Sequence, residues 1–131
     1  MNDRKKQEDK QMLGIIGAMD EEVAQIKEKM TDVTVISVAG MDFYQGKLGG
    51  KDAVVVRSGI VKVNAGMCSQ ILADRFHISA IVNTGIAGSL RAEINIGDIV
   101  VSTDAVQHDM DASGFGYRIG QIPRVDTFAF E

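Results

Sequence analysis

The stretch Met12 to Val23, MLGIIGAMDEEV, constrains the fold of this chain more than any other. Leu13, Ile15 and Ile16 form a short apolar run bounded by Gly14 and Gly17, the pattern of a strand covered on both faces rather than one alternating between core and water. The spacing predicts a helix directly after it. Asp20, Glu21 and Glu22 stand where the unpaired amides and dipole of a helix N-terminus favour negative charge. Val23, Ile26 and Met30 then recur at helical spacing, with Lys27 and Lys29 on the wet side. The acids thus fall where strand gives way to helix, and beyond the carboxyl end of a strand is where open α/β folds put their ligands. Two readings stand side by side: the acids only cap a helix, or they line a site.

Further along, the β-branched run Val33 to Val38 is followed by Ala39-Gly40, which reads as a turn, and the strands Phe43 to Leu48 and Ala53 to Val56 are joined by Gly49-Gly50, a good hairpin signal. A helix is predicted from Val61 to Phe76, with Val63, Met67, Cys68, Ile71 and Leu72 on one face. Cys68 reads as a buried small hydrophobe, since no charged partner lies near it in sequence. Ser79 to Asn83 is expected to be another buried strand. It runs into Thr84-Gly85-Ile86-Ala87-Gly88-Ser89, small residues that let backbone approach a ligand, although neither a P-loop nor a G-x-G-x-x-G fingerprint. Gly97 to Thr103 is predicted as a further strand, and from Asp104 to Glu131 the pattern dissolves into a loop rich in Gly and aromatics.

Composition narrows the function. With 131 residues, 45% of them hydrophobic, and one proline, the chain reads as an α/β domain with room for one core. A net charge of -4 and the absence of a basic stripe argue against nucleic acid and for a small-molecule partner. A single cysteine excludes an internal disulfide framework and fits an intracellular, cytoplasmic location. Residues 1–12 read as a charged, disordered tail, neither signal peptide nor membrane anchor. His108, Asp109 and Asp111 form an H-D-x-D cluster, read as ordering the loop before Phe115 rather than holding a metal. Neither a metal nor a cofactor is expected.

Five motifs in order, GIIGAMDEEV at 14–23, SGI-x-KVNAG at 58–66, NTGIAGSL at 83–90, GDIVVS at 97–102 and FGYRIGQIP at 115–123, resemble the first half of a methylthioadenosine/S-adenosylhomocysteine nucleosidase, of the nucleoside phosphorylase superfamily. The resemblance covers the chain from Leu13 to its end. It implies a three-layer α/β sandwich, a mixed central sheet flanked by helices, here truncated after roughly its first half, with residues 13–131 as the N-terminal part of the domain. It implies that Glu22 is the base activating the attacking water, and that Gly88, with Ala87 and Ile86, lines the ribose side of the pocket. Met19, Ile60 and Ala112 would line the thioether end, and Phe115 and Pro123 would reach across a homodimer interface. The sequence departs from the family at Ile86, where a serine is common, and at Ser89, where a glycine is common. The family's purine-protonating aspartate falls beyond Glu131, so by this resemblance the chain holds half an active site and is expected to be inactive alone.

The residues favour water over phosphate as nucleophile. Holding a dianionic phosphate needs Arg or Lys in the early glycine turn, whereas this turn carries Asp20, Glu21 and Glu22. A carboxylate there would repel phosphate yet could take a proton from water as the sugar becomes oxocarbenium-like. Arg57, the nearby cation in sequence, reads as a surface charge closing a strand. Two alternatives stay open: a purine nucleoside phosphorylase of the same fold, and a non-catalytic fragment that self-associates.

Overall fold

The computed structural model describes residues 12–103 and 105–125 of the chain. The expected tail, Met12 apart, lies outside these residues, as do Asp104 and the stretch from residue 126 onward. The chain divides into two compact units, Met1–Gly88 and Ser89–Glu131.

The first unit is a five-stranded mixed sheet with one helix on each face. Its elements are β1 (Leu13–Gly17), α1 (Asp20–Glu28), β2 (Met30–Val38), β3 (Met41–Leu48), β4 (Lys51–Arg57), α2 (Lys62–Phe76) and β5 (Ala80–Asn83). The spatial order is β2-β3-β4-β1-β5. β1 lies at the parallel heart, in register with β4 (Ile15 opposite Val55) on one side and β5 (Ile15 opposite Val82) on the other. β2, β3 and β4 form an antiparallel meander.

The expected turn at 39–40 and hairpin at 49–50 form, and both join antiparallel strands. Ala39 and Gly40 have φ of 51° and 77°, and Gly49 and Gly50 have φ of 57° and 81°. Two consecutive left-handed residues give the primed turn whose twist matches that of paired strands.

Alternation along β1 and β4 builds two cores. Ile16, Val54 and Val56 point to one face, where they meet Met41, Phe43 and the α2 residues Cys68, Leu72 and Phe76. There the Phe43 and Phe76 rings stack with centroids 5.1 Å apart. Ile15 and Val55 point to the other face, where they meet Val23 of α1 and Met30. One sheet with a helix on each face gives the three layers expected from the sequence.

Four expectations need correction. Met30 does not continue α1: the helix ends at Glu28, Lys29 caps it by donating its N–H to Ile26 O at 3.1 Å, and Met30 opens β2. Thr31, Val33, Thr34 and Val35 follow, and β-branched side chains favour the pleated strand over further helix. Met30 is still buried against Val23, which is why its spacing passed for helical.

On α2, Val63 is 79% exposed and Met67 41%. The residues that reach the sheet are Cys68, Leu72 and Phe76, a stripe at steps of four. At about 100° per residue, Val63 lies about 140° from Cys68 around the axis and Met67 about 100°. β5 is exposed along its length because it pairs with β1 alone at the margin of the sheet.

Finally, residues 97–103 form no strand. A strand exists only through a ladder with another, and none of the described residues of the second unit supplies one: Ile99 and Val101 are 92% and 86% exposed. The described part of that unit consists of turns and one short 3₁₀ turn, Ser113–Phe115.

Candidate functional site at the carboxyl end of the parallel strands

The carboxyl ends of β4, β1 and β5 are tied side by side. The Ser58 N–H donates to Gly17 O at 2.9 Å, and the Thr84 N–H donates to Ile16 O at 2.9 Å. Ser58 is buried, and its hydroxyl donates to Gly59 O at 2.8 Å. The turn after β1, the loop entering α2 and the Thr84–Gly88 loop therefore open on the same end of the sheet.

Glu22 stands at their meeting point. It occupies the first turn of α1, and its carboxylate turns back toward the helix start. Oε2 accepts the Ala18 N–H at 2.7 Å and the Met19 N–H at 3.0 Å. Oε1 accepts the Ile86 N–H at 3.4 Å, across from the loop after β5. The Met19 amide above all, with those of Ala18 and Ile86, holds the Glu22 carboxyl below its ordinary pKa against the opposing effect of partial desolvation. The carboxylate is thus ionised at neutral pH and held from two loops.

Glu22 caps its own helix and also bridges to the exit of β5. Its neighbours do neither: Asp20 and Glu21 are exposed, and Asp20 pairs with Arg57 at 3.4 Å on the surface. Arg57 closes β4 as a surface charge, as the sequence suggested.

α1 is anchored beneath the site by Val23, which is fully buried. A Cβ on Gly17 would lie 2.6 Å from Val23 Cγ1, so the strand–helix turn closes only with glycine there.

Of the other expected site residues, Met19 is half-buried at the N-cap of α1, and Ile60 is 63% exposed in the loop before α2. The Asn64 side-chain amide donates to Ile60 O at 2.8 Å. In the same loop Val61 has φ 79°, a region a β-branched residue adopts only when its surroundings impose it. Ile86, Ala87 and Gly88 are exposed in the loop after β5, Ile86 through its backbone reaching Glu22.

Ala112, Phe115 and Pro123 belong to the second unit. Ala112 is buried there, Phe115 is 87% exposed and Pro123 is half-buried. The Asp111 carboxylate accepts the Ser113 N–H at 2.9 Å, and bonds from the Ser113 side chain and backbone hold its pKa low. Asp111 thereby orders the turn that presents Phe115. Among the described residues no group of three or more His, Cys, Asp or Glu could hold a metal ion, and no helix of the described residues is long and apolar enough to cross a membrane.

The sequence places Gly85 among the small residues of a candidate ligand loop and gives it no partner. It stands two residues beyond an apolar strand, but nothing in the linear pattern says that Glu22 lies beside it.

Residues 12–131 match the model of the phosphorylase superfamily. A 5'-methylthioadenosine/S-adenosylhomocysteine nucleosidase of Staphylococcus haemolyticus is 50% identical over 114 residues, 87% of this chain and 50% of that protein. One from Colwellia psychrerythraea is 53% identical over 110 residues, 84% of this chain and 45% of that protein. The crystal structure of the Colwellia psychrerythraea enzyme with adenine superposes with a TM-score of 0.85 at 51% identity, covering 87% of this chain and 47% of that one. The Neisseria meningitidis enzyme with methylthio-immucillin-A also gives 0.85, at 36% identity, covering 88% of this chain and 50% of that one. The chain spans about half the length of the curated relatives it matches.

Proposed function

Because the chain belongs to the phosphorylase superfamily, we propose that it carries the water-activating part of a nucleosidase that cleaves the N-glycosidic bond of 5'-methylthioadenosine and S-adenosylhomocysteine and releases adenine. The observation that carries this reading is Glu22, an ionised carboxylate held by three backbone amides at the mouth of the parallel strands. In the proposed step a water oxygen bonds to the anomeric carbon as the bond to the purine nitrogen breaks. Glu22 takes the water's proton, and the electron pair of the broken bond leaves with the purine, which is protonated in turn. The amide donors keep the carboxylate ionised, and so able to accept a proton, without placing a cation that would attract phosphate.

On this reading residues 13–131 are the N-terminal part of a nucleosidase domain. Met19 and Ile60 face the thioether end of the substrate and Ile86, Ala87 and Gly88 the ribose, with Ala112 completing the apolar end. Phe115 and Pro123 are contributed to the site of a second copy in a homodimer, and the protein works in the cytoplasm in methionine salvage.

The deciding experiment incubates the full-length protein with methylthioadenosine in phosphate-free buffer and follows adenine and the sugar product. Free methylthioribose at a rate that added phosphate does not change supports hydrolysis. Formation of a sugar 1-phosphate that depends on phosphate would replace this reading with a phosphorylase.

A further inference from the structure

Gly85 is a glycine whose backbone does not require one. Its φ lies outside the left-handed region, unlike those of Gly59 at 83° or Gly97 at 93°. What excludes a side chain is the Glu22 carboxylate: a Cβ built on Gly85 would fall 2.6 Å from Oε1, 2.9 Å from the carboxyl carbon and 3.3 Å from Oε2. The next residue, Ile86, donates its N–H to that same Oε1 at 3.4 Å.

The two carboxylate oxygens are therefore unequal. Oε2 accepts two amides at 2.7 and 3.0 Å, which uses the two lone pairs of a carboxylate oxygen. Among the described residues Oε1 accepts the Ile86 N–H alone, by a longer bond, and keeps a lone pair.

We propose that Gly85 is a positioning residue, whose missing side chain lets the loop after β5 close on Glu22 and hold the carboxylate in one orientation, with Oε1 the oxygen that takes the proton from the nucleophile. The assignment of Oε1 rests on the reading of Glu22 as the base; the contact between Gly85 and Glu22 does not. Because the clashing atoms are the far end of a flexible side chain, a methyl at position 85 moves the carboxylate rather than the sheet. The effect falls on the site before it falls on the fold.

The test has two readouts. In the chain labelled with ¹³C at glutamate carboxyls, Gly85→Ala should shift the Glu22 resonance and raise its titration midpoint toward that of an ordinary glutamate, while far-UV circular dichroism stays unchanged. In the full-length protein the same variant should lower kcat on the order of 10-fold or more with KM within about twofold, as for a misplaced catalytic group. Gly66→Ala, whose added methyl meets nothing within 4 Å, should move neither. An unchanged Glu22 titration in Gly85→Ala overturns the positioning role. If the titration moves but Glu22→Gln still releases adenine normally, positioning stands and the base assignment falls. Should Gly85→Ala fail to fold, it is repeated with Glu22→Asp, whose carboxylate is one methylene shorter. Folding restored there supports the clash with Glu22, and failure in both backgrounds refutes it.

Discussion

Two valines on two helices test the packing that holds the site. Val23 of α1 is fully buried against Ile15, Met30 and Val55, whereas Val63 of α2 is 79% exposed. Val23→Ala removes about two methylene equivalents from the core, worth about 0.8 kcal/mol each. It also leaves a cavity of roughly 50 Å³ at about 24 cal/mol per Å³. The expected loss is about 2 to 3 kcal/mol. Val63→Ala deletes the same atoms where they already face water and replaces a β-branched residue by the best helix former. It should lie within about 0.5 kcal/mol of zero, on the stabilising side. Urea unfolding followed by far-UV circular dichroism measures both. At a slope of about 2 kcal/mol per molar, Val23→Ala should lower the midpoint by about 1 to 1.5 M without changing the slope. Equal losses in the two variants would refute the argument, since α2 would then bury the face that carries Val63.

Three further outcomes are expected. Burial pushes the Cys68 thiol up to about 11, so iodoacetamide at pH 8 should modify the folded chain about two orders of magnitude more slowly than the urea-unfolded chain; equal rates would contradict its burial. Glu22 is held below its unfolded pKa, so its contribution to stability is complete above the ordinary carboxylate range near about 4 and is lost as pH falls through the folded value. Glu22→Gln should flatten the acid limb of stability against pH, and an unaltered limb would mean the three amides do not favour the charged form. Mixing full-length Phe115→Ala and Glu22→Gln subunits should recover activity through one repaired site per heterodimer, whereas no recovery despite demonstrated subunit exchange would place Phe115 in its own subunit's site.

Local chemistry made much of the first unit legible. The all-apolar run of β1, the paired turn residues at 39–40 and 49–50, and the acidic first turn of α1 each carry their cause within a few residues. What was not legible depends on neighbours distant in sequence. Met30 keeps helical spacing from Val23 because strand and helix bury into the same core. Val63 and Met67 look like core until Phe43 and Val54 show which stripe of α2 meets the sheet. The run at 97–103 has strand composition, yet composition cannot supply a ladder. At the site, the place of Glu22 at the head of α1 followed from the pattern, but its bond to Ile86 spans 64 residues of chain and no spacing rule reaches that far.

The central claim is that Glu22 activates the nucleophile while the flanking acids do not, and adenine release from methylthioadenosine by full-length variants tests it most directly. Asp20→Asn and Glu21→Gln should stay within a few-fold of the parent, since Asp20 holds an exposed ion pair worth at most about 1 kcal/mol and Glu21 is exposed in the helix's first turn. Glu22→Gln keeps the size and loses the base, and should release adenine about 10²- to 10⁴-fold more slowly. Near-normal release from Glu22→Gln, with the fold intact, would contradict the account.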